Sequence, residues 1–324
     1  MAEPQVLVIG EEGDWSADAV TAVVTDSGTS VYRLTTFDFP QRMALAASLE
    51  GSGGGWTGTI TTGQGELPLE QVIGVYYRRP RAFDLPLGLS GPEERAARAQ
   101  ARVGLGGILA SLPGRWVNHP SAMADCEFKP RQLAVGDVVG LRVPATLITN
   151  DPGRVREFAN QVGDLVVKPL AEPSVAEAGA LTVAYTRRLT SADYRDLAGV
   201  QATAHLFQQW IEPRYAVRLT VVGERMFPVA IHPGSPAAQV DWRSDYDSLT
   251  YEVIDCPEPV THGVRRFMAE FGLVFGAFDF VVEQDTADWY LLECNAGGQW
   301  GWIAERCALP IAEAIRDELT GRQS

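Results

Sequence analysis

A carboxylate and a carboxamide lie two positions apart near the end of this sequence. Glu293 and Asn295 occur in "LLECNAGGQWGW", where leucines precede them and two glycines follow. Side chains two positions apart on a strand point to the same face of a sheet. A strand end at this place would therefore present several hard oxygen atoms together.

A second carboxylate is predicted to join this pair through a β-hairpin. The run 275–295, "FGAFDFVVEQDTADWYLLECN", has two apolar segments around the polar turn "QDTAD", which is typical of a hairpin. Pairing through that turn brings Asp279 beside Glu293. Two buried carboxylates are costly unless a cation neutralises them, and Mg²⁺ prefers a few carboxylate oxygens together with phosphates. We therefore predict that Asp279, Glu293 and Asn295 hold Mg²⁺. The alternative is an exposed Asp and a capped Glu, which the apolar flanks disfavour.

The basic residues indicate a phosphate site. Lys129 and Lys168 are the only two lysines among 27 basic residues. Lys168 ends the apolar run "DLVVKPL", and Lys129 lies on a predicted helix. A compact ammonium group suits a nucleotide phosphate, so we predict that both lysines bind one. The alternative for each is an ordinary solvated surface lysine.

An extended segment is a candidate for binding a nucleotide base. In "FQQWIEP" (207–213), the backbone groups of Gln209 and Ile211 would face an adenine edge. Glu212 would reach a ribose hydroxyl, and Trp210 completes this candidate cofactor site. The alternative is that the segment is only a strand.

Composition excludes several classes of function. The net charge is −14 and the pI is near 4.8, which disfavours binding to nucleic acid and to anionic membranes. No apolar stretch is long enough to cross a bilayer. The four cysteines have no C-x-x-C spacing, so we expect reduced thiols in a cytoplasmic protein.

The first third of the chain has a β-α-β pattern. "QVLVIG" (5–10) predicts a buried strand, and 16–28 predicts a helix with Ser16 as its cap. "SVYRLTT" then predicts a second strand, so a parallel sheet is expected. The segment lacks G-x-G-x-x-G and thus a dinucleotide fingerprint. Further along, Ser121 is predicted to cap a helix that Pro130 kinks, and "ALTVAYTRRL" (180–189) is predicted to pair with the strand that carries Lys168.

The order of these motifs resembles that of the ATP-grasp carboxylate–amine ligases. The resemblance covers residues 116–310, and the first domain matches the domain that usually precedes them. Finer features resemble the microviridin- and graspetide-type ligases that mature ribosomal peptides: "YYRRP", "NHPSAMADCEFKPRQL", "VVKPL", "WIEPRYAVRLTVVG", "DWR" and "ECNAGGQWGW". This implies an α/β ATP-grasp fold with a pre-ATP-grasp domain at 1–115, a central lid subdomain at 116–205 and a C-terminal subdomain at 206–324.

The resemblance also implies a reaction and its partners. ATP and Mg²⁺ would be the cofactors, and the substrate would be a ribosomal precursor peptide with a leader and an acidic core. Asp or Glu side chains would be activated as acylphosphates and joined to Thr or Ser hydroxyls, or to Lys amines. We expect esters, because a lysine nucleophile must first lose its proton. We also expect a cytoplasmic homodimer that binds neither nucleic acid nor membrane.

An acidic substrate approaching an acidic protein needs local positive charge. Arg218 and Arg243 are our catalytic candidates, since a guanidinium binds a carboxylate with two parallel hydrogen bonds. The substrate-binding candidates are Arg78, Arg79, Arg214 and Asp241. His119 and His232 are possible bases, with a structural role as the alternative for each; Trp300 and Trp302 are expected to pack.

Two departures from the related ligases concern the substrate and the phosphate loop. Residues 215–216, "YA", replace an Asp common in glutamate ligases, and the loop 171–180 has little glycine. Two other functions therefore stay open: a ligase that adds a free amino acid to a carboxyl group, and a nucleotide-binding protein without catalysis. Product mass and ATP turnover distinguish them.

Overall fold

The computed structural model describes residues 4–51, 53–171, 174–177, 180–183 and 185–322, without the side chains of 174–177 and 180–183. Part of the glycine-poor loop 171–180 therefore lies outside the described residues.

The N-terminal third contains a parallel sheet and a small antiparallel one. Its strands are β1 (Gln5–Ile9), β2 (Ser30–Leu34), β3 (Ala44–Ser48), β4 (Thr57–Thr62), β5 (Gly65–Pro68), β6 (Val72–Tyr77) and β7 (Arg115–Val117). Its helices are α1 (Trp15–Asp26) and α2 (Gly91–Ala110). The parallel sheet has the order β2-β1-β6-β7, and β3, β4 and β5 form the antiparallel sheet. The β-α-β prediction is confirmed.

The N-cap of helix α1 lies two residues earlier than predicted. The carboxylate of Asp14 accepts hydrogen bonds from the amides of Ser16 (2.9 Å) and Ala17 (3.1 Å), so Asp14 is the cap and the prediction of Ser16 was wrong. Both side chains are good caps. Ser16 is buried instead, and its hydroxyl donates to Gln299 Oε1 at 3.4 Å.

The middle of the chain forms a second sheet. Its helices are α3 (Pro120–Cys126), α4 (Lys129–Val138), α5 (Pro152–Val162) and α6 (Ser191–Arg195). Its strands are β8 (Thr146–Thr149), β9 (Leu165–Lys168), β10 (Ser174–Glu177), β11 (Ala180–Val183), β12 (Arg187–Arg188) and β13 (His205–Gln209). The order is β12-β9-β13-β8. Residues 180–189 were predicted to pair with β9. Of those that the structure describes, only β12 does so, because β11 pairs with β10.

The predicted kinked helix is two separate helices. Pro130 lies in the first turn of α4, where its missing N–H is not needed. The cap of α3 is His119, whose Nδ1 accepts from the Ser121 amide at 3.3 Å. The prediction of Ser121 as the cap was therefore wrong.

The C-terminal part is a five-stranded antiparallel sheet with helices. Its strands are β14 (Pro213–Val222), β15 (Arg225–His232), β16 (Thr250–Val253), β17 (Phe275–Glu283) and β18 (Trp289–Asn295), in the order β16-β15-β14-β17-β18. Its helices are α7 (Pro236–Val240), α8 (Glu258–Phe271), α9 (Gly301–Cys307) and α10 (Ile311–Thr320). Helix α9 was not predicted, since two glycines and two tryptophans stand at its start.

Apolar packing joins the first and last parts of the chain. One core cluster contains Val6 and Val8 of β1, Phe275 of β17 and Leu319 of α10. The buried side chain of Asn118 donates to the carbonyls of Phe275 (2.7 Å) and Ala296 (2.8 Å). The loop after β18 is therefore held against the N-terminal sheet. In the part of the chain that the structure describes, no helix is long and apolar enough to cross a membrane.

Candidate active site

A cavity of about 1000 Å³ is lined by residues of both the central sheet and the five-stranded sheet. Most of the predicted site residues line it: Arg78, Arg79, Lys129, Lys168, Gln209, Trp210, Ile211, Arg218, Asp241, Arg243, Asp279, Glu293 and Asn295. The structure thus brings together residues that are up to 217 positions apart in the sequence, from Arg78 to Asn295.

The predicted pairing of the carboxylates is confirmed. Asp279 of β17 lies opposite Glu293 of β18 on one side and opposite Arg218 of β14 on the other. The register shifts beside this pair, because Phe280 is opposite Leu291. Bulges of this kind redirect side chains and are common next to active sites.

Asp279 and Arg218 form a buried ion pair. Arg218 Nη1 lies 2.9 Å from both carboxylate oxygens of Asp279. Burial raises the pKa of Asp279 above its usual value, although Arg218 opposes the shift. Arg218 Nη2 donates to the carbonyl of Gln299 at 2.9 Å. Asn295 Nδ2 donates to Asp279 Oδ2 at 3.4 Å. The amide oxygen of Asn295 takes no part in this hydrogen bond.

Glu293 faces cations from two other elements. Its Oε2 lies 3.2 Å from Lys129 Nζ, and its Oε1 lies 3.6 Å from Arg243 Nη1. Burial raises the pKa of Glu293, but Lys129, Arg243 and Lys168 together outweigh burial and leave the pKa below its usual value. This carboxylate is therefore ionised at neutral pH.

Lys168 is a partly buried ammonium group with a lowered pKa. Burial lowers the pKa of Lys168 to about 8, with Glu293 opposing the shift and Lys129 and Arg243 adding to it. Lys129 Nζ also donates to the carbonyl of Pro169 at 2.8 Å, so the two lysines approach the same place from α4 and β9. Close cations of this kind are suited to a polyanion such as a polyphosphate.

Asp241 holds Arg243 in place. Arg243 donates from Nε and Nη2 to the two oxygens of Asp241, each at 2.9 Å, and the Thr186 amide donates to the same carboxylate at 3.1 Å. Both carboxylate oxygens of Asp241 thus accept hydrogen bonds from the protein itself. The structure therefore favours a role in holding Arg243 over the predicted direct contact with a substrate. The side chain of Arg243 keeps 38% of its surface exposed and remains accessible from the cavity.

The segment predicted to bind a base differs from the prediction at Gln209. The backbone N–H of Gln209 donates to the carbonyl of Ala145 at 2.9 Å, so it is not free to face adenine as predicted. Trp210 donates from its ring to the exposed Glu212 carboxylate at 2.8 Å. Glu212 is not among the described residues that line the cavity.

Gln208 lines the cavity and is 1% exposed, although it was not predicted as a site residue. The hydroxyl of Thr146 donates to the Pro144 carbonyl at 2.8 Å, so its oxygen accepts from Gln208 Nε2 at 2.9 Å. This fixes the orientation of the amide. Gln208 Oε1 has no hydrogen-bond partner among the described residues, and a buried acceptor without a partner is costly. A polar residue on an ordinary strand carries no signal for this in the sequence.

The remaining arginine candidates differ in burial: Arg78 is buried, whereas Arg79 and Arg214 are exposed. Arg78 is 3% exposed and donates to the carbonyls of Gly297 (2.5 Å) and Gly298 (3.0 Å) and to Gln299 Oε1 (2.7 Å). Its Nε is 3.3 Å from the Asp14 carboxylate. We therefore assign Arg78 to holding the loop after β18, which replaces its predicted contact with substrate.

Arg79 is exposed at the rim of the cavity. Arg214 is exposed and, like His119 and His232, is not among the described residues that line it. His119 contacts Ser121 and the Ala110 carbonyl instead.

The oxygen donors fit a magnesium ion that is shared with phosphates. Within the described ranges, no group of three or more His, Cys, Asp or Glu side chains is arranged to hold a metal by itself. Glu293, Asp279 and the amide oxygen of Asn295 are hard donors, and Mg²⁺ commonly uses one or two carboxylates plus substrate phosphates. The donor set therefore suits a metal that arrives with a nucleotide.

Comparison with known proteins defines the class. Residues 5–124 match the family model of the MvdD pre-ATP grasp domain. The structure is similar to a RiPP-associated ATP-grasp ligase of Chryseobacterium gregarium, solved with ADP and a leader and core peptide, at 26% identity, a TM-score of 0.89 and coverage of 99% of this chain and 98% of that one. A sequence comparison with curated proteins finds no match.

Two further structures support the same class. They are the macrocyclase MdnC bound with precursor peptide MdnA, at 28% identity and a TM-score of 0.83, and the macrocyclase MdnB, at 28% and 0.79, both from Microcystis aeruginosa. Each alignment covers 98% of this chain, with 100% of MdnC and 99% of MdnB. The chain thus has the fold of the RiPP-associated ATP-grasp ligases, and residues 5–124 resemble a pre-ATP-grasp domain, so the predicted resemblance and fold are confirmed.

Proposed function

We propose that this protein is an ATP-dependent ligase that crosslinks a ribosomal precursor peptide, joining Asp or Glu side chains to Thr or Ser hydroxyls in ester-closed rings. The observation that carries the proposal is the convergence of Lys129, Lys168 and Arg243 on Glu293 in one cavity. Similar ligases with 26% and 28% identity were solved with precursor peptides. ATP, Mg²⁺ and such a peptide are the proposed cofactors and partner.

The residues have distinct tasks in this proposal. Lys129 and Lys168 bind the β- and γ-phosphates, and the Gln208–Ile211 segment binds the adenine. Glu293, Asp279 and Asn295 hold Mg²⁺, which neutralises phosphate charge when it is bound. Arg243, fixed by Asp241, orients the peptide carboxylate in line with the γ-phosphorus.

The chemistry proceeds in two balanced steps. A carboxylate oxygen of the peptide bonds to the γ-phosphorus, and ADP leaves. A peptide hydroxyl then attacks the acyl carbon and loses its proton, and phosphate leaves with the oxygen that came from the carboxylate. Each ring thus costs one ATP and removes the elements of one water molecule from the peptide.

Arg218 is proposed as a positioning residue in this scheme. It is paired with Asp279 and with the Gln299 carbonyl, so it orients the Asp279 carboxylate and does not contact the peptide. This refines its predicted catalytic role. The homodimer, the cytoplasmic location and the three subdomain boundaries stay predictions.

The test is product mass. Enzyme, ATP, Mg²⁺ and a precursor peptide are incubated, and we expect a loss of about 18 Da per ring that mild alkali reverses. Base-stable loss of water would indicate amides. A gain in mass with a free amino acid would indicate the alternative ligase, and ADP binding without turnover would indicate a non-catalytic protein.

A further inference from the structure

Gln132 is a buried side chain that completes the edge of the five-stranded sheet. Strand β18 is the last strand of that sheet, so the outer backbone groups of its end need partners from elsewhere. Gln132 Oε1 accepts from the Cys294 amide at 2.8 Å, and Gln132 Nε2 donates to the Cys294 carbonyl at 2.8 Å. Nε2 also donates to the Cys126 carbonyl. The side chain, 3% exposed, therefore replaces a neighbouring strand.

One turn further along α4, Gly136 lets the helix lie directly against β18. A Cβ atom at Gly136 would be 2.7 Å from Leu291 Cδ2 and 3.3 Å from Val143 Cγ1. Real Cβ atoms do not approach other carbon atoms as closely as 2.7 Å, so a larger residue would require the buried Leu291 side chain or the helix to move. The close packing of α4 against Leu291 of β18 thus depends on the absence of a side chain at this position.

These contacts occur at the place where the chemistry is concentrated. Cys294 stands between Glu293 and Asn295, and Lys129 is the first residue of α4. Lys129, Gln132 and Gly136 are three and four positions apart, which puts them on one face of the helix. A shift of α4 along β18 would therefore change the separation of Lys129 and Glu293, now 3.2 Å.

We infer that Gln132 is a positioning residue, which aligns the Glu293 and Asn295 oxygens with Lys129 so that metal and nucleotide phosphates bind together. This inference rests on the proposed function. The side chain of Gln132 lines the cavity, but within the described chain its hydrogen bonds go to backbone groups only, so its effect on the metal is indirect. Partners that orient metal ligands in this way typically contribute 10- to 100-fold in metal affinity.

The test is Gln132→Met, which keeps the length of the side chain and removes its hydrogen bonds. The quantity measured is the factor by which Mg²⁺ strengthens ADP binding, obtained by calorimetry with Mg²⁺ and with EDTA. We expect this factor to fall by about 10-fold or more. The matched control is Gln161→Met, because Gln161 is an exposed glutamine on α5; the control should keep the wild-type factor.

Two further measurements separate positioning from general damage. Hydrogen exchange at the Cys294 amide should be faster in Gln132→Met, while the amides of β14 should keep their wild-type protection. Gly136→Ala keeps the Gln132 side chain but requires Leu291 or α4 itself to move, and it should also lower the Mg²⁺ factor. It serves as the deciding variant if Gln132→Met does not fold.

The possible outcomes are distinguishable. If the wild-type protein shows no Mg²⁺-dependent strengthening of ADP binding, the proposed function itself fails. If the wild-type protein shows it and the folded variants keep the same factor, the assignment of Gln132 is overturned while the proposed function stands. A reduced factor, with unchanged binding of ADP in EDTA, supports the assignment.

Discussion

Glu293 is the side chain on which the proposed chemistry depends most at the scale of single residues. It meets Lys129 from α4 and Arg243 from the segment after α7. A carboxylate with a lowered pKa among cations keeps its charge when an anionic nucleotide arrives. It can therefore exchange contact with a lysine for contact with a metal without first losing a proton.

Glu293→Gln should abolish most turnover while the fold is retained. The amide has the same shape but no charge, so several kcal/mol of charge neutralisation in the transition state are lost, which corresponds to about 100-fold or more in rate. The measurement is peptide-dependent ADP release at saturating Mg²⁺, with thermal unfolding as the control for folding. Turnover close to that of the wild type would refute the metal assignment.

Lys168 supplies a pH dependence whose sign follows from its lowered pKa. With a pKa of about 8 in the free protein, it is protonated below pH 8 and binds phosphate fully there. Above pH 8, phosphate binding must be accompanied by proton uptake, so ADP affinity should fall by up to about 10-fold per pH unit.

Lys168→Met should remove this pH dependence and weaken ADP binding at pH 7. Loss of one charge-assisted contact corresponds to about 1.5–3 kcal/mol, or roughly 10- to 150-fold in affinity. Calorimetry between pH 7 and pH 9.5 measures both effects. Lys129→Met is the matched control, and it should keep the decline but move it to higher pH, because Lys129 helps to lower the pKa of Lys168. A variant at position 168 that still shows the decline would mean that another group titrates.

Gln208 should select adenine through its exocyclic amine. Its Oε1 is a buried acceptor whose orientation is fixed by Thr146, and the adenine amine is a donor. We expect ADP to bind more tightly than purine riboside diphosphate by roughly 5- to 10-fold, the contribution of one neutral hydrogen bond.

Gln208→Met should bind both nucleotides equally, and Gln209→Met should keep the wild-type preference. Affinities of the two nucleotides for the three proteins measure this. Equal binding of the two nucleotides by the wild-type protein would contradict the assignment.

At the scale of elements, the site is assembled where secondary structures end. Lys168 ends β9, Asn295 ends β18 and Lys129 begins α4. The loop after β18 is held from the N-terminal sheet by Arg78, and the same loop accepts a hydrogen bond from Arg218. The pre-ATP-grasp domain therefore contributes directly to the geometry of the site.

Arg78→Met should destabilise the protein strongly, because the buried Asp14 carboxylate loses its charged partner and keeps only its helix-cap hydrogen bonds. Breaking such a pair costs about 3–5 kcal/mol in free energy of unfolding. The neighbouring Arg79 is exposed, and Arg79→Met should change the stability by less than about 0.5 kcal/mol. Denaturant unfolding of the two variants measures this. Equal stabilities would return Arg78 to the group of substrate-binding candidates.

At the scale of the whole molecule, features that depend on neighbouring residues were predicted better than features that depend on long-range contacts. The alternation of residues in 275–295 was sufficient for the pairing of Asp279 with Glu293, because a hairpin joins neighbouring segments. The cap of α1 was predicted wrongly because Asp14 and Ser16 are both good caps and lie two positions apart. The burial of Arg78 and the orientation of Gln208 depend on partners far away in the sequence, so no local pattern encodes them.

The net charge of −14 also contrasts with the site. Among the described residues, six cationic side chains and four carboxylates line the cavity: Arg78, Arg79, Lys129, Lys168, Arg218 and Arg243, with Glu127, Asp241, Asp279 and Glu293. The cavity is thus a local cationic region in an acidic protein, as the proposed binding of an anionic nucleotide and an acidic peptide requires.

The most direct test of the account follows oxygen from the peptide to phosphate. A precursor peptide with ¹⁸O in its Asp and Glu side-chain carboxyls is incubated with the enzyme, ATP and Mg²⁺, and the released phosphate is examined by mass spectrometry. Because phosphate leaves with the carboxylate oxygen that attacked the γ-phosphorus, we predict one ¹⁸O atom in phosphate for each ring formed. Rings that form while the phosphate contains no ¹⁸O would contradict activation of the peptide carboxyl by ATP.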